Sequence, residues 1–167
     1  MSATPSEAVA EPAPAFDLFL SYNRLDLAAV DRAEEALRAR GLEVFKDDWY
    51  LRPGQPWPTA LQQRLAESRA VVVAIGGGGL GPWQQREAFA ALDLQDRARK
   101  ADREPPPVIP LLLDPSSTKN AGLAFLLQNT WVENWDPRAI DLLAGAVEGK
   151  APAELYGDAR EDPRTQI

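Results

Sequence analysis

Residues Ala70 to Glu87 read AVVVAIGGGGLGPWQQRE. An apolar run, Ala70-Val71-Val72-Val73-Ala74-Ile75, is followed by glycines and then by Pro82, which suits the first position of a helix. Strand, flexible turn and helix, in that order, leave a ligand crevice at the carboxyl end of a buried parallel strand. Trp83 and Glu87 are four residues apart and therefore share one helical face. An aromatic plate beside a carboxylate at such a crevice suits a planar, cationic leaving group held next to a negative charge. The glycines are not a Walker or Rossmann fingerprint, because no GxGxxG follows the first strand.

Strand and helix patterns alternate on both sides of this stretch. Phe16 to Ser21 (FDLFLS) reads as the first strand. Leu27, Val30, Ala33 and Leu37 recur at helical spacing over Leu27 to Arg40, with Asp26 placed to cap that helix and Gly41 to end it. Leu42 to Phe45 is a short second strand, and Thr59 to Glu67 a short helix with Leu61 and Leu65 inward. Trp83 to about Lys100 is the longest helix. Pro106 to Leu113 is a fourth strand in which Pro110 argues for an edge or a bulge. Asn129 to Val132 reads as a fifth strand and Pro137 to Glu148 as the last helix. This alternation predicts an α/β fold, a flavodoxin-like five-stranded parallel sheet with helices on both faces.

The 167 residues suit one domain with tails. Residues 1–15, rich in Ala, Pro and Glu, read as a disordered leader, and they lack the basic start and apolar centre of a signal peptide. Residues 149–167 read as a tail or linker to a downstream module. Net charge is −7, which argues against a nucleic-acid footprint, and no segment approaches a membrane span. The chain has neither cysteine nor histidine. Thiol nucleophiles and Cys/His zinc sites are therefore excluded, and a cytoplasmic location fits. Any proton transfer falls to carboxylates, Tyr, Lys or water.

These segments resemble Toll/interleukin-1 receptor (TIR) domains of the bacterial, NAD-cleaving type. Phe16 to Asp26 (FDLFLSYNRLD) is similar to the first box of that family. Val44 to Trp57 (VFKDDWYLRPGQPW) is similar to the second box and its loop, with Arg52-Pro53-Gly54 as the turn. Ser68 to Glu87 is similar to the third strand and the helix that carries the family's catalytic glutamate. The match spans roughly Phe16 to Glu148, and Thr130-Trp131 loosely echoes the third box.

The resemblance implies that Glu87 is the catalytic carboxylate and Trp83 its stacking aromatic. By spacing alone, Glu87 reads as a solvated helix residue, as most helix glutamates are, although no cation stands at i±3 or i±4 to explain it. The substrate, NAD+, would be held by Trp83, Tyr22, Ser21, Asn23, Gly76, Gly77, Asp48 and Trp49. Tyr22 reads as either packing or a stacking wall, and Ser21 and Asn23 as either a turn or part of the crevice. Asp47 and Asp48 offer no third ligand, so no metal is assigned and no cofactor is expected. The loop holding Tyr50, Leu51, Arg52, Pro53, Gly54 and Trp57 is stiffened by prolines and would contact partner TIR domains.

The implied activity is cleavage of NAD+ to nicotinamide and ADP-ribose or a cyclic isomer. It would be switched on by self-association, as a homo-oligomer or filament, in antiviral defence or signalling. A sensor or ATPase module would be attached. A non-catalytic TIR–TIR scaffold and a nucleoside deoxyribosyltransferase on a related sheet are the rival readings.

Overall fold

The alternating pattern forms a single parallel sheet in the computed structural model, which describes residues 15–46, 63–119 and 129–149. The strands are β1 (Phe16–Ser21), β2 (Val44–Lys46), β3 (Ser68–Ile75), β4 (Val108–Leu112) and β5 (Val132–Glu133). Their order is β2-β1-β3-β4-β5, and each neighbouring pair is parallel. This is the flavodoxin-like order that the sequence implies. The helices are α1 (Leu27–Ala39), α2 (Pro82–Lys100) and α3 (Ala139–Val147). No helix among the described residues is long and apolar enough to cross a membrane.

β3 is apolar on both faces because both faces are covered. Leu18, Leu20, Val72 and Ala74 pack with Val30 and Leu37 of α1 and Leu142 and Leu143 of α3. On the opposite face Phe19, Val71, Val73 and Ile75 pack with Leu65 and with Ala88 and Ala91 of α2. Burying each large aliphatic side chain contributes about 1.5–3 kcal/mol, so these two layers supply most of the drive to fold.

Several boundaries differ from the expectation, for local reasons. Asp26 does not cap α1 through its side chain. The chain enters α1 by way of a 3-10 turn, Arg24–Asp26, which Asn23 caps by accepting the Leu25 N–H at 3.1 Å. With the entrance wound in this way, the Asp26 carboxylate turns instead to the end of β3. Gly41 does end α1, with φ at +83°. Of the short helix expected over Thr59 to Glu67, residues 63–66 are helical, and Leu65 is buried. Leu61 lies outside the described residues.

β5 starts at Val132 rather than Asn129, because the Asn129 side chain takes over a strand's task. Its amide donates to the Val108 carbonyl at 3.0 Å. Pro110 stands in a strand flanked by β3 and β5, not at an edge. Its nitrogen is on the side of Leu112, whose carbonyl accepts the Asn134 N–H at 2.8 Å. β5 pairs only with Leu111 and Leu112, so the missing N–H falls where β5 has not yet begun.

Candidate active site at the carboxyl end of the sheet

β1 and β3 end side by side, with Ser21 opposite Val73. From Ile75 the chain turns through Gly76 to Gly79, where the Gly79 N–H donates to the Gly76 carbonyl at 3.1 Å. α2 then starts at Pro82. Its buried positions include Gln84, Glu87, Ala88, Ala91, Gln95 and Ala98, which recur every three or four residues apart from the adjacent pair Glu87 and Ala88, and this stripe lies on the sheet. Glu87 is on the stripe and is 2% exposed. Trp83 is in the first turn of α2, one turn before Glu87; its side chain lies outside the described residues.

The glycine turn is hemmed in on both sides. A Cβ on Gly76 would fall 2.2 Å from Oδ1 of Asp26, and one on Gly77 would fall 2.7 Å from the Ser116 hydroxyl. A side chain at either position fits only if Asp26 or Ser116 shifts. Burial pushes the Asp26 carboxyl above its ordinary value of 3.8, and a hydrogen bond with the Gly76 backbone offsets part of that rise. The neighbouring Ser117 hydroxyl donates to the Ile75 carbonyl at 2.7 Å, which fixes the last residue of β3.

Ser21 is fully buried on the α2 side, and its hydroxyl has no hydrogen-bond partner among the described residues. Tyr22 turns to the other side of the sheet. It packs on the core beneath α1 and α3, with the Lys46 ammonium 5.8 Å from its ring centre. The Asn23 amide lies against Gly81, 3.3 Å from where a side chain there would begin. Ser21, Asn23, Gly76 and Gly77 therefore gather at the end of the sheet where α2 begins. Tyr22 is directed to the opposite layer.

Asp48, Trp49, Tyr50, Leu51, Arg52, Pro53, Gly54 and Trp57 lie outside the described residues. Lys46, just before them, is held to α1 by Asp31 and by Glu34 at 3.0 Å. Burial alone would lower the Lys46 ammonium, but the hydrogen bonds and charges of Asp31 and Glu34 outweigh it and hold the group above its ordinary range. Among the described residues no three acidic side chains gather as a metal site would need.

Gln84 is a site residue that the sequence reading passes over. Its amide oxygen accepts the Gly81 N–H at 3.2 Å. Its amide nitrogen donates to the Ser21 carbonyl at 3.3 Å and to the Ala74 carbonyl. Half of this was legible, since a glutamine three residues after the N-cap is one arm of a capping box. The other half was not, because Ser21 lies 63 positions away in the chain. A cavity of about 370 Å3 lies at the opposite, amino end of the sheet, lined by Leu65, Leu94, Arg69 and Arg103 among others, and is separate from this site.

The profile of the TIR domain family matches residues 18–144, most of the chain. One curated relative, the NAD(+) hydrolase PdTIR of Paracoccus denitrificans (strain Pd 1222), is 33% identical over 89 residues. That match covers 52% of this chain and 30% of the relative, so the chain spans less than a third of that protein's length. A metazoan TIR-STING receptor from C. gigas superposes with a TM-score of 0.58 at 18% identity, over 86% of this chain and 43% of that one. The TIR domain of the Toll-related receptor TRR-2 from Hydra magnipapillata gives a TM-score of 0.52 at 16% identity, over 80% and 98%. At such identities the solved structures speak for the fold alone. Sheet order and the extent of the family match agree: the chain belongs to the TIR domain family.

Proposed function

We propose that this TIR domain cleaves NAD+ to nicotinamide and ADP-ribose or a cyclic isomer, with Glu87 as the carboxylate beside the reacting ribose. The observation that carries the reading is the burial of Glu87 on the first turns of α2, beyond the end of β3. Burying a carboxylate costs several kcal/mol. The relative named as an NAD(+) hydrolase adds independent support.

The chemistry follows from charge. Heterolysis of the N-glycosidic bond returns the bonding pair to the cationic nicotinamide ring, which leaves neutral and needs no acid. C1′ of the ribose becomes electron-poor, and a carboxylate held nearby stabilises that charge. Water then adds its oxygen to C1′ and releases a proton, or an adenine nitrogen adds in its place and closes a ring. Ser21, whose buried hydroxyl is unpartnered among the described residues, is a donor for the dinucleotide, and Asn23, Gly76 and Gly77 border the same end of the sheet. Trp83 supplies an aromatic face, a contact with a cationic ring that is favourable by roughly 0.5–2 kcal/mol.

Self-association regulates this activity in the same proposal. Residues Tyr50 to Trp57 dock on a neighbouring copy, and an attached sensor or ATPase module brings copies together in the cytoplasm. The test is nicotinamide release from NAD+ by the free domain, by domain clustered on a multivalent scaffold, and by Glu87→Gln in both forms. The clustered domain is expected to turn over faster than the free one, and Glu87→Gln to be inactive in both. Equal specific rates reject the clustering step. No release by the clustered wild-type protein rejects the enzyme and leaves a docking module.

A further inference from the structure

From the three backbone groups it joins, we infer that Gln84 is a positioning residue, which sets where Glu87 stands over the sheet. The inference rests on the enzymatic reading above. A single side-chain amide spans β1, β3 and the start of α2: it binds the Ser21 carbonyl, the Ala74 carbonyl and the Gly81 N–H. Gln84 is 1% exposed, so each of these bonds is made away from bulk water. Carbonyls at the end of a parallel strand must find donors or pair with water. Here both take theirs from the residue one helical turn before Glu87. The rotation and depth of the first turn of α2 are thereby tied to the ends of the two central strands. Glu87 follows three residues later, on the same buried stripe.

Other contacts of α2 lie farther along it: Leu92 and Leu94 pack partly buried on the core, and Gln95 donates to the Pro106 carbonyl. Ala88 and Ala91, the next buried residues of α2, have side chains too short to lock a helix about its axis. Gly81 has no side chain with which to cap α2, so the Gln84 arm is what holds its N–H. Gln84 does not react with substrate; it acts through the placement of Glu87.

Steady-state NAD+ cleavage by the clustered domain, comparing Gln84→Met, Gln84→Asn and Gln95→Met, tests this. Gln95→Met makes the same chemical change at another buried glutamine of α2. Gln84→Met is expected to lower kcat about tenfold to a hundredfold, as small misplacements of a catalytic group do, with KM within about threefold. Gln84→Asn, too short to reach all three groups, should fall between it and the wild type. Gln95→Met should retain the wild-type kcat. Amide hydrogen exchange at Gly81, which is independent of activity, should accelerate about tenfold or more in Gln84→Met and stay unchanged in Gln95→Met, because Gly81 loses its acceptor only in the first.

An unchanged kcat in Gln84→Met, or a loss that lies in KM alone, overturns the positioning role. So does unchanged exchange at Gly81. Should Gln84→Met fail to fold, Gln84→Asn decides on the same readouts. Failure of the enzymatic reading looks different: the wild type and Glu87→Gln are then equally inactive, while Gly81 exchange still reports on its bond to Gln84.

Discussion

Gln84 near the start of α2 and Gln95 in its second half are both buried, and both donate to backbone carbonyls. Gln84 takes those of Ser21 and Ala74 at the carboxyl end of the sheet. Gln95 takes that of Pro106 at the amino end, at 2.9 Å, and accepts from Asn129 at 3.4 Å. The two halves differ in their acids. In the second half Asp93 and Asp96 stand in solvent, paired with Arg97 at 2.9 Å and Lys100 at 2.8 Å. The hydrogen bond from Lys100 holds the Asp96 carboxyl below its ordinary range, but exposed pairs of this kind contribute little to stability. In the first half Glu87 is buried. The same helix thus packs by the same means at both ends and carries a carboxylate into the protein at only one of them. Packing explains the shared glutamines, and the proposed chemistry gives a use for the carboxylate of Glu87.

The experiment with the largest expected effect asks whether Glu87 is chemical rather than structural. Glu87→Gln should reduce nicotinamide release by roughly a hundredfold or more, the usual cost of losing a charge-stabilising group. Its melting temperature should stay at or above that of the wild type, because a neutral amide is easier to bury than a carboxylate. Full activity, or a large fall in stability, breaks the contrast between the two halves.

The second substitution acts on the turn that feeds the first half. Gly76→Ala places a methyl group on the Asp26 carboxylate and should cost about 1–3 kcal/mol in urea unfolding, as overpacking does. Adding Asp26→Ala should recover most of that loss; an additive double mutant would mean that the clash is not the cause.

The third acts on the far half. Gln95→Met removes the bond to Pro106 and should lower stability by about 1 kcal/mol in the same assay. A larger loss would make this glutamine, not the apolar layers, the main anchor of the far half.

The smallest effect is a pH dependence. The raised Asp26 carboxyl means that ionisation opposes folding. The residue's stabilising contribution is complete below its ordinary value of 3.8, where folded and unfolded chains are both protonated. It is lost as pH rises through the raised value. Asp26→Asn should therefore melt higher than the wild type at pH 7, with the difference closing as pH falls below 3.8. A difference that does not change with pH would mean that charge at Asp26 is not involved.

Much of this was legible in the residues. The six residues of β1 and the buried stripe of α1 followed from period and composition, since apolar side chains at those spacings have one way to leave water. Glu87 was singled out by the family resemblance; spacing alone favoured a solvated helix glutamate, and only the fold shows that it is buried. Asp26 was misread, because a sequence shows a good N-cap residue but not the 3-10 turn that changes where it points. β5 was misplaced because Asn129 substitutes a side-chain amide for a strand.

By itself the chain determined its strands, its helices and the parallel sheet, for these depend on periodicity and on neighbours within a few residues. Tertiary structure alone decided which groups meet at the end of the sheet. The Asp26 carboxylate sits on Gly76, Tyr22 turns to the far layer beside Lys46, and Gln84 reaches the Ser21 carbonyl across 63 positions. Such contacts exist only once the sheet has brought the ends of β1 and β3 side by side, because hydrogen bonds and close packing depend on ångström-scale distances that no local spacing encodes.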